Sequence, residues 1–297
     1  MSKSILLTGS TGYLGNRLGQ RLLEEGFSVV AVHLNRNEKF VFDEKYEARV
    51  HKVYLSEESV SEIFAKNRID GIIHTSTLYG RSGEQIADMI KANVVFPVEI
   101  ITNAITKGVE FFINTDSILN KYISPYALTK SNLTDWMKMY ADDIKMIDIK
   151  LDHFYGPNDK NTKFVAAMLE KLVRNEEKID LTEGTQTRDF IYIDDVVDVY
   201  AVVLKNLDKM SLGQVATFEV GTNKKTSIRY VVTKLKELVG STTKLNFGAV
   251  PYRKNEMLDY DVNTTALRLL GWEPSITIED GLKKVIADIK VYNSYEK

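Results

Sequence analysis

The sequence predicts an α/β protein with a Rossmann-like, doubly wound parallel sheet and a smaller C-terminal α/β domain. Short apolar segments alternate with helical patterns over residues 1–155, which is typical of successive βαβ units. A glycine-rich turn connects the first predicted strand to the first predicted helix. After Tyr155-Gly156-Pro157 the pattern changes to shorter, mixed elements, which indicates a second domain.

The predicted strands of the first part, except 50–54, are dense in Ile, Val, Leu or Phe, as strands buried on both faces require. Leu14, Leu18 and Leu22 recur every four residues in the first predicted helix, and Gly26 follows as its cap. The predicted strands are 4–7, 28–33, 50–54, 71–75, 111–115 and 145–151, and the predicted helices are 13–25, 57–66, 84–107 and 125–140.

The second part is predicted to contain helices near 163–174 and 194–207 and strands near 179–181 and 189–193. We therefore expect a Rossmann domain at 1–157, with a return of the chain near 186–208, and a second domain at 158–297. No flexible Gly/Ser linker is visible, so the two domains should pack closely. The cleft between them is then the expected ligand site.

Composition and charge exclude several classes of protein. With 44% hydrophobic and 27% charged residues the chain has the composition of a globular protein and not of a disordered one. A net charge of −2 gives no general attraction to nucleic acid or to an anionic membrane, so neither is expected as a partner. The absence of cysteine excludes thiol nucleophiles, disulfides and thiolate metal sites.

A cytoplasmic location without a bound metal is expected. The chain opens on Ile5-Leu6-Leu7 without the pattern of a secretory signal. No apolar stretch approaches the ~20 residues of a membrane span, and a chain without cysteine suits a reducing cytoplasm. The four histidines, His33, His51, His74 and His153, are isolated and lack the spacing of metal ligands.

The segment Thr8-Gly9-Ser10-Thr11-Gly12-Tyr13-Leu14-Gly15 lies between a predicted strand and a predicted helix. Glycines there allow a sharp turn and a close approach of backbone amides to a pyrophosphate, which the helix N-terminus also attracts. The spacing differs by one residue from the general GxGxxG pattern, so its position at the first βα turn is what favours a dinucleotide site over a plain connector.

The end of the second predicted strand indicates which dinucleotide binds. NAD-preferring sites place an acid there, roughly 20 residues after the glycines, where it accepts a hydrogen bond from the ribose 2′-hydroxyl. Here His33-Leu34-Asn35-Arg36 contains no acid, and a guanidinium suits a 2′-phosphate. We predict NADPH over NADH, with Arg36 as the main discriminator and Asn35 or His33 assisting. The alternative is that Arg36 is only a solvated loop charge.

Two Tyr-x-x-x-Lys spacings occur, Tyr126/Lys130 and Tyr230/Lys234, so their positions must decide between them. The first pair lies one helical turn apart in a helix that follows the predicted strand 111–115, whose carboxyl end points to the cofactor cleft. A phenol of pKa near 10 needs a nearby ammonium before it can exchange protons at neutral pH. Lys130 is predicted to supply that charge to Tyr126.

The glycine turn, Tyr126-Ala-Leu-Thr-Lys130, Tyr155-Gly156-Pro157 and the segment 188–195 (RDFIYIDD) resemble the extended short-chain dehydrogenases/reductases, the NAD-dependent epimerase/dehydratase family, and the resemblance covers essentially the whole chain. More narrowly, four segments are similar to the reductases of the CDP-abequose synthase type, which act on a nucleotide-linked 4-keto-deoxyhexose. These segments are 71–75 (GIIHT), 114–117 (NTDS), 152–157 (DHFYGP) and 255–257 (NEM).

The resemblance implies a role for individual residues. Thr115 matches the residue that hydrogen-bonds the reacting oxygen, Tyr126 the proton donor, and Lys130 the residue that holds the nicotinamide ribose and tunes the tyrosine. Residues 1–157 would bind NADP(H), and 158–297 would bind the substrate. The residues expected at the cofactor are Gly9, Thr11, Gly12, Tyr13, Leu14, His33, Asn35, Arg36, Thr75, Tyr126 and Lys130.

The implied reaction is NADPH-dependent reduction of the C4 ketone of a nucleotide-diphosphate-linked 4-keto-6-deoxysugar. Arg188 and Arg253 match arginines that contact the diphosphate, and Arg188 is the safer assignment of the two; the alternative for each is a role as a surface ion-pair residue. Asp116, His153 and Lys163 are further substrate-binding candidates; for the first two a purely structural role remains an alternative. The helices near 84–107 and 125–140 often form a dimer interface in the family, which implies a homodimer.

The sequence also departs from the family. Tyr126 lies only eleven positions after Thr115, which is tighter than in most relatives and weakens the role assigned to Thr115. Dehydratases of the family have Thr-Asp-Glu where this chain has Thr115-Asp116-Ser117, and the missing glutamate argues against dehydration. Lys150 and His153 stand where Arg and Asn are common before Tyr-Gly-Pro.

Two other functions remain open. A sugar-nucleotide 4-epimerase with tightly bound NAD would use the same residues, and the acid-free segment 33–36 favours the reductase over it. A non-catalytic NADP-binding sensor or scaffold would share the fold, but the retained Tyr126, Lys130 and Thr115 argue against it.

Overall fold

The computed structural model describes residues 2–81, 83–253 and 256–295. The chain forms two compact units. The first comprises Met1–Leu151 and Val199–Glu219, and the second comprises Asp152–Asp198 and Val220–Lys297. The predicted domains at 1–157 and 158–297 have other bounds and stay a prediction.

The described residues form strands and helices in both units. The strands are β1 (Ser4–Thr8), β2 (Ser28–His33), β3 (Val50–Tyr54), β4 (Gly71–His74), β5 (Phe111–Ser117), β6 (Lys145–Leu151), β7 (His153–Tyr155), β8 (Lys178–Leu181), β9 (Thr187–Tyr192), β10 (Val215–Val220), β11 (Lys225–Ser227) and β12 (Lys244–Phe247). The helices are α1 (Tyr13–Glu24), α2 (Val60–Lys66), α3 (Ile86–Ile90), α4 (Phe96–Thr106), α5 (Pro125–Met139), α6 (Phe164–Val173), α7 (Ile193–Lys205), α8 (Ile228–Val239), α9 (Thr265–Leu269) and α10 (Ile278–Tyr295).

The first unit is built on a seven-stranded sheet of order β10-β6-β5-β4-β1-β2-β3. Strands β1 to β6 pair in parallel. The order 3-2-1-4-5-6 is that of a doubly wound Rossmann sheet, in which ligands bind at the carboxyl ends of the strands. The predicted fold class is therefore confirmed.

Burial explains why these segments are strands and helices. All four residues of β4 are buried, as are the last five residues of β2. Helix α1 buries Leu14, Leu18 and Leu22, the predicted stripe. Helix α2 begins later than predicted because Ser59 and Glu62 form a capping box at its N-terminus.

The long helix predicted at 84–107 is interrupted. The structure has α3, then a π-helical turn at Lys91–Val95, and then α4, whose first turn carries Pro97. The extra residue of a π turn points Asn93 inward. Its amide contacts Thr77, Leu78 and Thr129, so it connects the loop after β4 to α5.

The second unit contains a three-stranded sheet of order β11-β9-β7 and a parallel pair of β12 and β8. Two carboxylates of the segment 188–195 hold loops of this unit. Asp189 accepts hydrogen bonds from Thr222 and from the backbone of Asn223. Asp195 accepts from Ser275 and from the backbone N–H of Ile276.

Within the part of the chain that the structure describes, no helix has the length and apolar character of a membrane span. Among the same residues, no three His, Asp or Glu side chains come together as a set of metal ligands.

Candidate active site

The glycine turn brings the start of α1 against the end of β1. Gly9 has φ +69°, and the N–H of Gly12 donates to its carbonyl oxygen at 2.8 Å. A Cβ on Gly15 would lie 2.0 Å from that same oxygen, so only glycine permits this approach. Gly12 precedes α1 and makes no side-chain cap bond, which leaves the first N–H groups of the helix available to an anion.

Thr75 and His74 connect the end of β4 to this turn. The Thr75 hydroxyl donates to the Thr8 carbonyl oxygen at 2.8 Å, and Thr8 Oγ1 is 2.8 Å from His74 Nδ1. Burial lowers the pKa of His74 well below its usual value. The structure thus brings Thr75 beside the predicted pyrophosphate site, where the turn fits a dinucleotide.

Two acids outside the segment 33–36 lie at the end of β2, and one of them pairs with Arg36. Its guanidinium donates to both carboxylate oxygens of Glu57, at 2.6 and 2.7 Å, and lies 4.5 Å from the centre of the Tyr54 ring. Glu38 accepts from the N–H of Leu34 at 2.8 Å. Arg36 is therefore already paired with an acid from another strand end.

His33 and Asn35, the two residues predicted to assist Arg36, differ in their exposure to solvent. His33 is buried, which lowers its pKa, and its ring nitrogens have no hydrogen-bond partner among the described residues. Asn35 is exposed, and its side-chain oxygen accepts from the backbone N–H of Asn37. Asn35 is the more accessible of the two.

Tyr126 lies in the first turn of α5. Pro125 occupies the start of the helix, and Ser124 caps it by accepting from the N–H of Ala127. The Tyr126 ring stacks on that of Tyr79, with centroids 5.1 Å apart. Burial raises the pKa of Tyr126 far above its usual value, with smaller contributions from Tyr79 and Asp116, whereas Arg81 lowers it.

Lys130 is fully buried one turn further along α5. Its ammonium donates to Asn114 Oδ1 at 3.4 Å. Burial lowers the pKa of Lys130, and the carboxylates of Asp116 and Asp148 raise it. The cation that lowers the pKa of the Tyr126 phenol is thus Arg81, while acids of the sheet raise the pKa of Lys130.

Alternation along β5 separates Thr115 from its neighbours. Asn114 and Asp116 face α5, where they contact Lys130 and Thr134. Thr115 faces the other side of the sheet, where its hydroxyl is 2.7 Å from that of Tyr200. The structure brings Asp116 and Lys130 together and holds the Thr115 hydroxyl on Tyr200.

In the second unit, Arg188 is almost completely buried. It donates to Glu256 Oε1 at 2.5 Å and to the carbonyl oxygens of Thr187 and Met257 at 2.6 and 2.7 Å. The nearby Arg253 is exposed, and the predicted motif residue Asn255 lies outside the described residues.

The other candidates of the second unit lie around β7. His153 Nδ1 is 2.6 Å from a carboxylate oxygen of Asp152, which also accepts from the hydroxyl of Tyr260. The His153 side chain is partly exposed, whereas that of Asp152 is buried. Lys163 immediately precedes α6, with its ammonium 5.9 Å from the centre of the Phe154 ring.

Comparison with known proteins decides the family. Residues 5–221 match the model of the NAD dependent epimerase/dehydratase family. The chain belongs to this family. One relative in sequence is CDP-abequose synthase of Salmonella muenchen, which is 33% identical over 97% of this chain and 98% of that protein. CDP-abequose synthase of Salmonella typhimurium is 28% identical over 96% and 98%.

Solved structures of the family confirm the fold. UDP-glucose 4-epimerase of Thermotoga maritima, in complex with UDP-glucose, superposes with a TM-score of 0.82 over 98% of this chain and 99% of that one, at 22% identity. UDP-glucose 4-epimerase of Thermus thermophilus, in complex with NAD, gives 0.80 over 97% and 99%, at 18% identity.

Sequence reasoning missed Glu57, Tyr79, Arg81, Asn114 and Asp148. Glu57, Tyr79 and Arg81 follow strand ends at the carboxyl edge of the sheet, which is where the family of folds places its ligands. Asn114 directly follows the apolar run 111–113 of β5, and Asp148 lies between Ile147 and Ile149 of β6, so each was a visible interruption of an apolar run.

Proposed function

We propose that this chain is an NADPH-dependent reductase that reduces the C4 ketone of a nucleotide-linked 4-keto-6-deoxysugar in the cytoplasm, as a homodimer. The observation that carries the proposal is Tyr126 stacked on Tyr79 in the first turn of α5, with the buried Lys130 one turn away. The similarity to CDP-abequose synthase over nearly the whole chain supports a keto-sugar reductase within the family.

The glycine turn, Tyr126 and Lys130 have separate roles in this reaction. NADPH, when bound, supplies the hydride. Gly9, Gly12 and Gly15 admit a pyrophosphate to the N-terminus of α1, because no side chain fills the turn. Tyr126 donates its phenolic proton to the forming alkoxide, and its raised pKa keeps that proton in place until then. Lys130 holds the nicotinamide ribose and offsets the charge of the phenolate.

In the second unit, Arg188 is suited to the diphosphate because its guanidinium offers two parallel donors. Glu256 already pairs with this guanidinium. A diphosphate would therefore compete with Glu256 for Arg188. Arg253, Lys163 and His153 are the further donors proposed for the substrate.

Tyr126→Phe tests the proposal. With NADPH and a CDP-linked 4-keto-6-deoxyhexose, the variant should lose at least about a hundredfold in kcat because the proton donor is gone. Its Kd for NADPH, measured by cofactor fluorescence, should stay near that of the wild type. The matched control is Tyr230→Phe, because Tyr230 has the same Tyr-x-x-x-Lys spacing but hydrogen-bonds Glu279 in the second unit. Equal turnover of both variants would refute the assignment.

A 4-epimerase with bound NAD is the second candidate, and the Arg36–Glu57 pair favours it, because an arginine held by an acid is less available to a 2′-phosphate. The two differ in their use of cofactor. A reductase oxidises one NADPH for each ketone reduced, whereas an epimerase purifies with NAD and consumes none.

A further inference from the structure

Lys130, Asn114 and Asp148 form a continuous chain of polar contacts inside the first unit. Lys130 Nζ donates to Asn114 Oδ1 at 3.4 Å, and Asn114 Nδ2 donates to Asp148 Oδ1 at 2.8 Å. The three side chains are 2%, 0% and 0% exposed, so solvent does not screen them. The amide of Asn114 thus links an ammonium on α5 to a carboxylate on β6.

These polar contacts lie where two apolar side chains would stabilise the fold more. Asn114 and Asp148 are directly opposite each other on the central strands β5 and β6. Their neighbours along the strands, Ile113, Ile147 and Ile149, are completely buried. Asp148 Oδ2 has no hydrogen-bond partner among the described residues. A buried carboxylate with an unsatisfied oxygen is destabilising, and apolar residues of similar volume would remove that cost.

The pair of Asn114 and Asp148 affects the charge of Lys130. Burial alone drives a lysine towards its neutral form, and here only the carboxylates of Asp116 and Asp148 oppose that effect. A neutral amine would neither attract the ribose hydroxyls as strongly nor offset a phenolate. The carboxylate of Asp148 is therefore useful to the site although it is unfavourable for the fold.

We propose that Asn114 and Asp148 are positioning residues that fix the place and the charge of the Lys130 ammonium. The inference rests on the proposed function, which makes Lys130 a catalytic residue. Asn114 orients the ammonium through its side-chain oxygen, and Asp148 orients Asn114 and supplies the negative charge.

Burial and the neighbouring charges set the pH range in which Asp148 ionises. Asp116 raises the pKa of Asp148, and Lys150 and Lys130 lower it. The outcome, dominated by burial, is a pKa of about 7 for Asp148. Its charge should then appear as the pH rises through neutrality.

The test compares Asp148→Asn with Asp143→Asn. Both remove one carboxylate, but Asp143 is exposed just before β6. An asparagine at 148 can still accept from Asn114, so only the charge is lost. We expect kcat of Asp148→Asn with NADPH and a CDP-linked 4-keto-6-deoxyhexose to fall about tenfold at neutral pH, which corresponds to one pKa unit of Lys130. The alkaline limb of its kcat/KM profile should move to lower pH.

Asn114→Leu is the second variant, and it removes the polar contacts between Lys130 and Asp148 without removing the carboxylate. It should lower kcat as well, because Asn114 no longer orients the Lys130 ammonium. Profiles of both variants that match those of Asp143→Asn and the wild type would overturn the inference.

A measurement that needs no turnover separates the inference from the proposed function. The Kd of NADPH is followed by fluorescence from acidic to alkaline pH. Loss of the Lys130 charge should weaken binding at a lower pH in Asp148→Asn than in Asp143→Asn. If the wild type reduces no keto-sugar nucleotide, the proposed function fails, and this pH dependence still decides the role of the pair. Identical pH dependence in the two variants refutes it.

Discussion

At the scale of the residue, Arg36 lies between a carboxylate and an aromatic ring, and both contacts bear on the cofactor that it can bind. Tyr54 covers one face of the guanidinium, and Glu57 occupies one of its edges. The pair with Glu57 is exposed, so it is weak and a 2′-phosphate can compete with it. Glu57 should therefore reduce the preference for NADPH without abolishing it.

Glu57→Gln should lower the KM for NADPH by up to about fivefold, because the competing charge is removed.

Arg36→Ala should weaken NADPH binding roughly tenfold or more and leave NADH binding almost unaffected. Both follow from initial rates with the two cofactors. Glu58→Gln is the matched control, since the adjacent Glu58 pairs with Lys66 instead. If the ratio of the KM for NADPH to the KM for NADH is unchanged in both Glu57→Gln and Arg36→Ala, the role of Arg36 is contradicted.

Asp148 should make the stability of the fold depend on pH. Its pKa in the folded chain, about 7, lies above its ordinary value of 3.8, so the folded state binds this proton more tightly than the unfolded state. Its contribution is therefore fully favourable below pH ~4 and is lost as the pH rises through about 7.

Asp148→Asn should consequently raise the free energy of unfolding by a few kcal/mol, as an order-of-magnitude estimate, in mildly alkaline buffer, and by much less in mild acid. Urea denaturation at two pH values measures the difference. A gain of the same size at both pH values would show that the carboxylate is not responsible.

Which single residues the sequence predicts depends on whether their partners are local. The Tyr126/Lys130 spacing and the glycine turn are local, and the structure places both as a helix turn and a βα turn. The Glu57 partner of Arg36 comes from 21 residues away, and the Tyr200 partner of Thr115 from 85. Such pairs depend on the strand order, which no short segment encodes.

At the scale of the element, the π-helical turn at Lys91–Val95 is held by one side chain. Asn93 accepts from Thr77 Oγ1 and from the N–H of Leu78 at 3.1 and 2.8 Å. It donates to the carbonyl oxygen of Leu78 and to Thr129 Oγ1 at 2.9 and 3.0 Å. The loop that carries Tyr79 is thereby fixed to the helix that carries Tyr126.

Asn93→Ala should lower the free energy of unfolding by about 2–4 kcal/mol, because it leaves buried donors and acceptors without partners. It should also lower kcat, since the stacking of Tyr79 on Tyr126 would loosen. Asn103→Ala is the control, because the half-buried Asn103 makes a local bond to Glu99 on α4. Denaturation curves and initial rates give both readings, and equal curves for the two variants would refute this role of Asn93.

Element boundaries could be predicted where a local signal marks them. The bounds of β2 and β6 agree with those expected from apolar runs, and those of β3 agree with the prediction although its sequence is less apolar. The break within 84–107 was not predictable, because the apolar pattern of 84–107 continues through the π turn and only the buried contacts of Asn93 favour it.

At the scale of the whole molecule, exposed apolar side chains gather on helices that neighbour each other. Helix α5 exposes Leu128, Trp136 and Met139, and α3 exposes Ile86 and Ile90. Apolar side chains grouped in this way are typical of a protein interface. They support the proposed homodimer.

Met139→Glu should shift the protein from dimer to monomer in size-exclusion chromatography with light scattering, because it places a charge in the proposed interface. Leu269→Glu makes the same change at an equally exposed leucine on α9. It should leave the mass unchanged. A monomeric wild type would end the proposal of a homodimer.

The glycine turn has a practical consequence for altering cofactor choice by directed evolution. Gly9 and Gly15 tolerate no added bulk, since a Cβ on them would collide with atoms 2.6 Å and 2.0 Å away. A mutant library should leave these two glycines untouched and randomise positions 36 and 57, whose side chains face solvent and can change without repacking the interior.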